Sequence, residues 1–174
     1  MPRSLPVLLF AALILLARPI AVQAAAPLRL IIAYPPGGAS DTVARVLAER
    51  LGARLGDAVI VENRSGASGA IGIDAMAKAA PDGRTLAFSA VSPVTLLPHV
   101  ARVPYDPIKD VAPVASVMFS PVYLVATPAF TGRTLEDAIA QARTKPGSIR
   151  LATSGVATLG HVMLEQIRSA ASVD

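Results

Sequence analysis

From Leu28 onward, short runs of aliphatic and β-branched residues alternate with longer stretches whose apolar positions recur every three or four residues. This switching of periods is the pattern of βαβ units on a mainly parallel sheet, so the fold class is α/β. Leu28 to Ala33 reads as a first strand. Asp41 to Leu55 reads as a helix with Val43, Leu47, Leu51 and Leu55 along one face, Ser40 as its N-cap and Gly56 as its stop. Ala58 to Val61 predicts a second strand and about Ala70 to Ala79 a second helix. Pro81-Asp82-Gly83 then turns the chain into a third strand, Thr85 to Ser89. Together these elements make a β-α-β-α-β half.

The remainder is punctuated differently. Five prolines between Ser92 and Pro113 predict irregular chain with at most short helical turns. Two apolar runs follow, Ala115 to Phe119 and Val122 to Thr127, on either side of Ser120-Pro121. Here we place the crossing from a first lobe, residues 25–124, into a second, residues 125–174. Thr134-Leu135-Glu136-Asp137 has the form of a capping box opening a helix to about Thr144, ended by Lys145-Pro146-Gly147. Ile149 to Ala152 predicts a strand, and a helix from about Ala157 turns Leu159, Val162, Met163 and Ile167 towards a core. The closing residues, Ala170 to Asp174, carry no stop signal and read as a connection to a further strand, so the second lobe is expected to be incomplete.

The start of the chain is of another kind. Arg3 precedes an apolar run from Leu5 to Leu16, and Val22-Gln23-Ala24 places small residues where signal peptidase cuts, so residues 1–24 predict a cleaved signal peptide and export to the periplasm. The run is too short to span ~30 Å of hydrocarbon, and Arg18-Pro19 interrupts it. Of 174 residues, 16 are basic and 12 acidic; Arg3 and Arg18 leave with the leader, which brings the net charge from +4 to +2. Basic residues are scattered and aromatic residues few, which argues against nucleic-acid binding. The chain has no cysteine, which removes disulfides, a thiol nucleophile and a lipoprotein anchor.

Three loops follow predicted strands and precede predicted helices: Tyr34-Pro35-Pro36-Gly37-Gly38-Ala39-Ser40-Asp41, then Asn63 to Gly72, then Thr153-Ser154-Gly155-Val156-Ala157-Thr158. Glycines admit a ligand close to the backbone, and a helix start presents N–H groups and a positive dipole end, a combination that favours carboxylate or phosphate. One such loop is commonly no more than a tight turn. Three at the carboxyl ends of strands in an open α/β sheet can face one cleft. A Rossmann-like nucleotide-binding enzyme is the competing reading, with Glu62 where a ribose-binding acid could sit. However, Gly37 and Gly38 are adjacent rather than spaced as G-x-G-x-x-G, and no Gly-Lys-Ser/Thr follows. No G-x-S-x-G elbow exists, His99 and His161 lack recognisable partners, and no cluster has metal-ligand spacing, so neither catalysis, a cofactor nor a metal is expected. Arg64 is the cation inside a candidate loop, either on a ligand carboxylate or in a salt bridge. Asp41 complements the helix dipole and could accept from a ligand ammonium.

The segment Tyr34-Pro35-Pro36-Gly37-Gly38-Ala39-Ser40-Asp41-Thr42-Val43-Ala44-Arg45 resembles the first-loop motif of the Bug receptors, the extracytoplasmic solute receptors of tripartite tricarboxylate transporters. Val61-Glu62-Asn63-Arg64, Lys78-Ala79-Ala80-Pro81-Asp82-Gly83, Tyr105-Asp106-Pro107-Ile108-Lys109-Asp110 and Thr153-Ser154-Gly155 with His161 extend the resemblance in family order. It implies a two-lobed, type II-like periplasmic binding protein that closes on a small carboxylate and delivers it to membrane permease subunits, this chain stopping within the second lobe. A sensory binding domain is the other reading within that fold. The candidate ligand-binding set is Tyr34, Pro36, Gly37, Gly38 and Asp41 in the first loop and Ser65 and Gly66 in the second. Ser89 and Ser92 follow the third strand, and Ser154, Gly155, Ala157, Thr158 and His161 come from the third loop and its helix. Ser65, Ser68, Ala70, Val156 and Ala157 depart from the family's usual residues, which leaves the ligand's identity open.

Overall fold

The computed structural model describes residues 26–173; the expected signal peptide lies outside the described residues. Three strands, β1 (Leu28–Ile32), β2 (Val59–Asn63) and β3 (Thr85–Phe88), form a parallel sheet in the order β2-β1-β3. The register pairs Leu28 with Val59 and Arg29 with Thr85. β1 is the central strand and is covered on both faces, which is why its sequence is a near-continuous aliphatic run: Leu30, Ile31, Ile32 and Ala33 are at most 2% exposed.

On one face lies α1 (Ala39–Leu55), where Leu30, Ile32 and Phe88 of the sheet pack with Ala44 and Ala48. The expected face of large aliphatics is thus shifted. Val43 and Leu47 flank the contact, its centre is the two alanines, and Leu55 is 58% exposed. Small side chains let the helix approach a sheet that already carries the bulk. The N-cap also differs from expectation: Gly38 holds the extended cap conformation, and Ser40 lies inside the first turn. Gly56 ends the helix as expected, in the left-handed conformation with its N–H on Gly52 O.

On the other face lies α2 (Ala70–Ala77), entered through a 3-10 turn, Ala67–Gly69. Gly72 sits directly against the end of β1, where an added Cβ would come within 2.7 Å of Ala33 Cα, so this crossing needs glycine. Two short helices, α3 (Ser92–Thr95) and α4 (Leu97–Val100), follow β3 and account for the proline-rich stretch. Ala70, Ile73, Leu97, Tyr105 and Ala157 form the core of this face, and the buried Tyr105 hydroxyl donates to Pro93 O at 2.6 Å.

The later part of the chain holds α5 (Leu135–Thr144) and α6 (Leu159–Ala171). Thr134 and Asp137 form the expected capping box of α5. Arg143 Nη2 donates to Ala171 O at 2.7 Å and ties the two helices together. The expected strand Ile149 to Ala152 is not formed, and the apolar runs 115–119 and 122–127 carry no regular structure. A strand needs a neighbour for its N–H and C=O groups, and none of the described segments offers one. Phe119 is accordingly 94% and Val125 83% exposed, and Leu159 and Met163 of α6 are partly exposed rather than buried in a core. Among the described residues no helix is long and apolar enough to cross a membrane.

Candidate functional site

The first loop leaves β1 at Ala33, whose N–H is held by Phe88 O at 3.1 Å, and enters α1 after Gly38. Gly37 has φ +85 and is the position that requires glycine; Gly38 has an ordinary φ and open space around it. Asp41, in the first turn of α1, is 5% exposed and saturated by protein donors. It accepts from Arg45 Nε at 3.0 Å, from the Gly37 N–H at 2.9 Å and from Asn63 Nδ2 at 2.9 Å. The Arg45 guanidinium, then the Gly37 amide and Asn63, hold its carboxyl well below the usual carboxylate range. Asn63 Nδ2 also reaches Tyr34 O at 3.1 Å.

The second loop continues β2, with the Arg64 N–H on Ile32 O at 2.8 Å. The Arg64 side chain turns to Glu62 at 2.6 Å, and Arg29 meets the other oxygen of Glu62, also at 2.6 Å. These two guanidiniums, Arg29 first, lower the Glu62 pKa. Ser65 and Gly66 are exposed at the turn, and Ala67 and Ser68 adopt left-handed backbone at φ 47 and 55. Such conformations cost non-glycine residues roughly 1 kcal/mol each and persist where surrounding contacts enforce them. One such contact is the Ser68 hydroxyl, which donates to Val156 O of the third loop at 2.7 Å.

In the third loop Thr158 Oγ1 donates to Gly155 O at 2.7 Å, and Ala157, left-handed at φ 58, is buried against α2 and α4. His161 Nδ1 accepts the Ala157 N–H at 3.2 Å, so the imidazole braces the start of α6. Ser154 is exposed beside it. Past β3, Ser92 is buried at the start of α3, and the buried Ser89 Oγ has no hydrogen-bond partner among the described residues.

All three loops and the Ser89–Ser92 segment therefore lie at one edge of the sheet, beyond the carboxyl ends of the strands. Asn63 and Asp41 join the first loop to the second, Gly69 abuts Pro93, and Ser68 joins the second loop to the third. Arg45 and Asn63 are the participants that sequence reasoning passed over. Arg45 stands four residues after Asp41, the spacing of a helical ion pair, and that was the available signal. Behind the third loop an open apolar groove of ≈ 640 Å³ runs between Val100 of α4 and Val162 of α6. Among the described residues no group of three or more His, Cys, Asp or Glu could hold a metal ion.

The model of the tripartite tricarboxylate transporter family receptor matches residues 43–174. The chain belongs to this receptor family. Among its relatives, the protein BugT of Bordetella pertussis is 39% identical over 154 residues, 86% of this chain and 47% of that one. A protein of Cupriavidus necator is 37% identical over 141 residues, 81% of this chain and 43% of that one. Among solved structures, MatC of Rhodopseudomonas palustris with bound malate superposes with a TM-score of 0.73 at 27% identity, covering 85% of this chain and 51% of that one. An R. palustris protein with adipate gives 0.68 at 25% identity, and the periplasmic binding protein BugD 0.65 at 27%, each over 85% of this chain and 50% of the other. The fold of this tripartite tricarboxylate transporter receptor is thus that of periplasmic binding proteins, and the chain spans about half the length of the relatives it matches.

Proposed function

We propose that this chain is part of a periplasmic receptor that captures a small carboxylate for a tripartite tricarboxylate transporter. The observation that carries the reading is the gathering of three loops at the carboxyl edge of the sheet while their charged side chains are spent on one another. Asp41 is paired with Arg45, and Glu62 holds both Arg29 and Arg64, so backbone N–H groups at the helix starts are the groups best placed to meet an anion. The binding of malate and adipate by structural neighbours supports the same ligand class. In this reading Tyr34, Pro36, Gly37, Gly38, Ser65, Gly66, Ser89 and Ser92 face the ligand from a first lobe, residues 25–124. Ser154, Gly155, Ala157, Thr158 and His161 face it from a second, residues 125–174. Asp41 acts by holding the first loop. Residues 1–24 export the protein, and permease subunits receive the cargo.

The family and its solved neighbours are binding proteins, and the reading assigns no catalytic step. A nucleotide reading is disfavoured by Glu62, which the ribose would need and which Arg29 and Arg64 already hold. Titration of the ¹⁵N-labelled chain with malate, adipate and the neutral diamide of malate tests the proposal. The acids are expected to shift the amides of residues 37–41 and 66–70, and the diamide to leave them in place. Equal responses to acid and diamide, or none to any acid, reject carboxylate capture by these loops.

A further inference from the structure

Asp41, Arg45 and Asn63 form a closed ring of hydrogen bonds around the first loop. Asn63 Nδ2 donates to Tyr34 O at 3.1 Å, where the loop leaves β1, and to Asp41 Oδ1 at 2.9 Å. Arg45 donates through Nη2 to Asn63 Oδ1 and through Nε to Asp41 Oδ2, each at 3.0 Å. Asp41 Oδ2 also takes the Gly37 N–H, at 2.9 Å, from the middle of the loop. The start of α1, the end of β2 and the loop itself thus meet at one buried carboxylate. Other charges near it are occupied: Glu62, next to Asn63 in β2, is held by Arg29 and Arg64, and the cation facing Asp41 is Arg45 of its own helix.

The ring does two things at once. It fixes the left-handed Gly37 by giving its N–H an inward partner, and it offsets the carboxylate at the start of α1 that would repel an arriving anion. We propose that Asn63 and Arg45 are positioning residues for the first loop. Acting through Asp41, they hold Tyr34 to Gly38 in one conformation with the Gly37 N–H turned inward, and so leave the backbone at the start of α1 to the ligand. The last clause rests on the carboxylate reading; the hold on the loop does not.

Charge and geometry separate on substitution. Arg45→Lys keeps a positive charge beside Asp41, but a single ammonium does not reproduce the planar pair of N–H groups that spans Asp41 and Asn63. The test follows the Gly37 amide of the full chain by ¹H–¹⁵N spectroscopy in the native protein, Asn63→Ala, Arg45→Ala, Arg45→Lys and Arg84→Ala. The last breaks the Arg84–Asp57 pair beside the opposite, amino-terminal end of the strands and reports loss of stability alone. In the native chain the Gly37 signal should titrate below the ordinary carboxylate range, and Arg45→Ala should move that titration upward. Asn63→Ala, which removes all three Asn63 hydrogen bonds, and Arg45→Lys, which breaks the two-pronged bridge, should each lose at least about tenfold of the amide's exchange protection and weaken malate binding at least about tenfold, the scale of one charge-assisted hydrogen bond. Arg84→Ala should leave the Gly37 signal intact. A Gly37 amide unmoved by Asn63→Ala, or restored in full by Arg45→Lys, overturns the proposal. A native chain that keeps the Gly37 signature yet ignores malate and adipate counts against carboxylate capture instead, and leaves the hold on the loop supported.

Discussion

Residues 28–100 and residues 114–173 carry similar densities of β-branched and aliphatic side chains, yet they organise them in opposite ways. In the first region β1 has a partner on each side, helices cover both faces of the sheet, and Ile31 and Ile32 are fully buried. In the second, α5 forms behind its Thr134–Asp137 capping box and α6 ends on a left-handed Ser172, while Phe119, Val125 and Leu151 lie open. The contrast separates two kinds of instruction. A helix closes its hydrogen bonds within itself, so Thr134 and Asp137 suffice to start one. A strand is completed only by another strand, and 115–119, 122–127 and 149–152 lack one among the described residues.

This comparison can be broken by substitution. Ile31→Ala deletes most of a fully buried side chain from the central strand and should cost about 3 kcal/mol in urea unfolding, with hydrogen-exchange protection lost throughout 28–88. A cost under 1 kcal/mol would mean that the first region is not the cooperative unit. Gly72→Ala forces a methyl group against the Ala33 backbone and should cost about 2 kcal/mol, unless α2 slides along the sheet. Thr134→Ala removes the acceptor for the Asp137 N–H and should weaken α5 by about 1 kcal/mol; exchange should quicken in 135–144 and stay unchanged in β1. Phe119→Ser should change stability by less than about 0.5 kcal/mol, since its ring is already in water. A large loss there would reveal a partner for the exposed run and erase the contrast between the regions.

How much of this was legible in the sequence follows the same division. The aliphatic run of β1, the Gly56 stop, the proline-rich turns and the Thr134 box could all be read because each depends on neighbours in sequence. The alanine-centred contact of α1 could not, because it depends on how much volume the facing sheet already supplies. Nor could the missing strand at Ile149 to Ala152, whose side chains have the right preference and whose backbone lacks a ladder. At the loops, their placement after strands and before helices pointed to one edge of the sheet, where Asn63 and Ser68 link them. The saturation of Asp41 was hidden because Asn63 reaches it from 22 residues away.

The order β2-β1-β3 also has a bearing on time. Leu28 finds its partner Val59 after 31 residues of chain, whereas Arg29 finds Thr85 only after 56. The loop-closure difference between these two pairings is only about 0.5 kcal/mol, too little to dictate which forms first. Order of emergence then decides: as the chain appears from its amino end, β1 acquires β2 and the cover of α1 while its other edge is still bare. That edge stays open until β3 has been made, and for that interval the central strand of the described sheet is also its most adhesive.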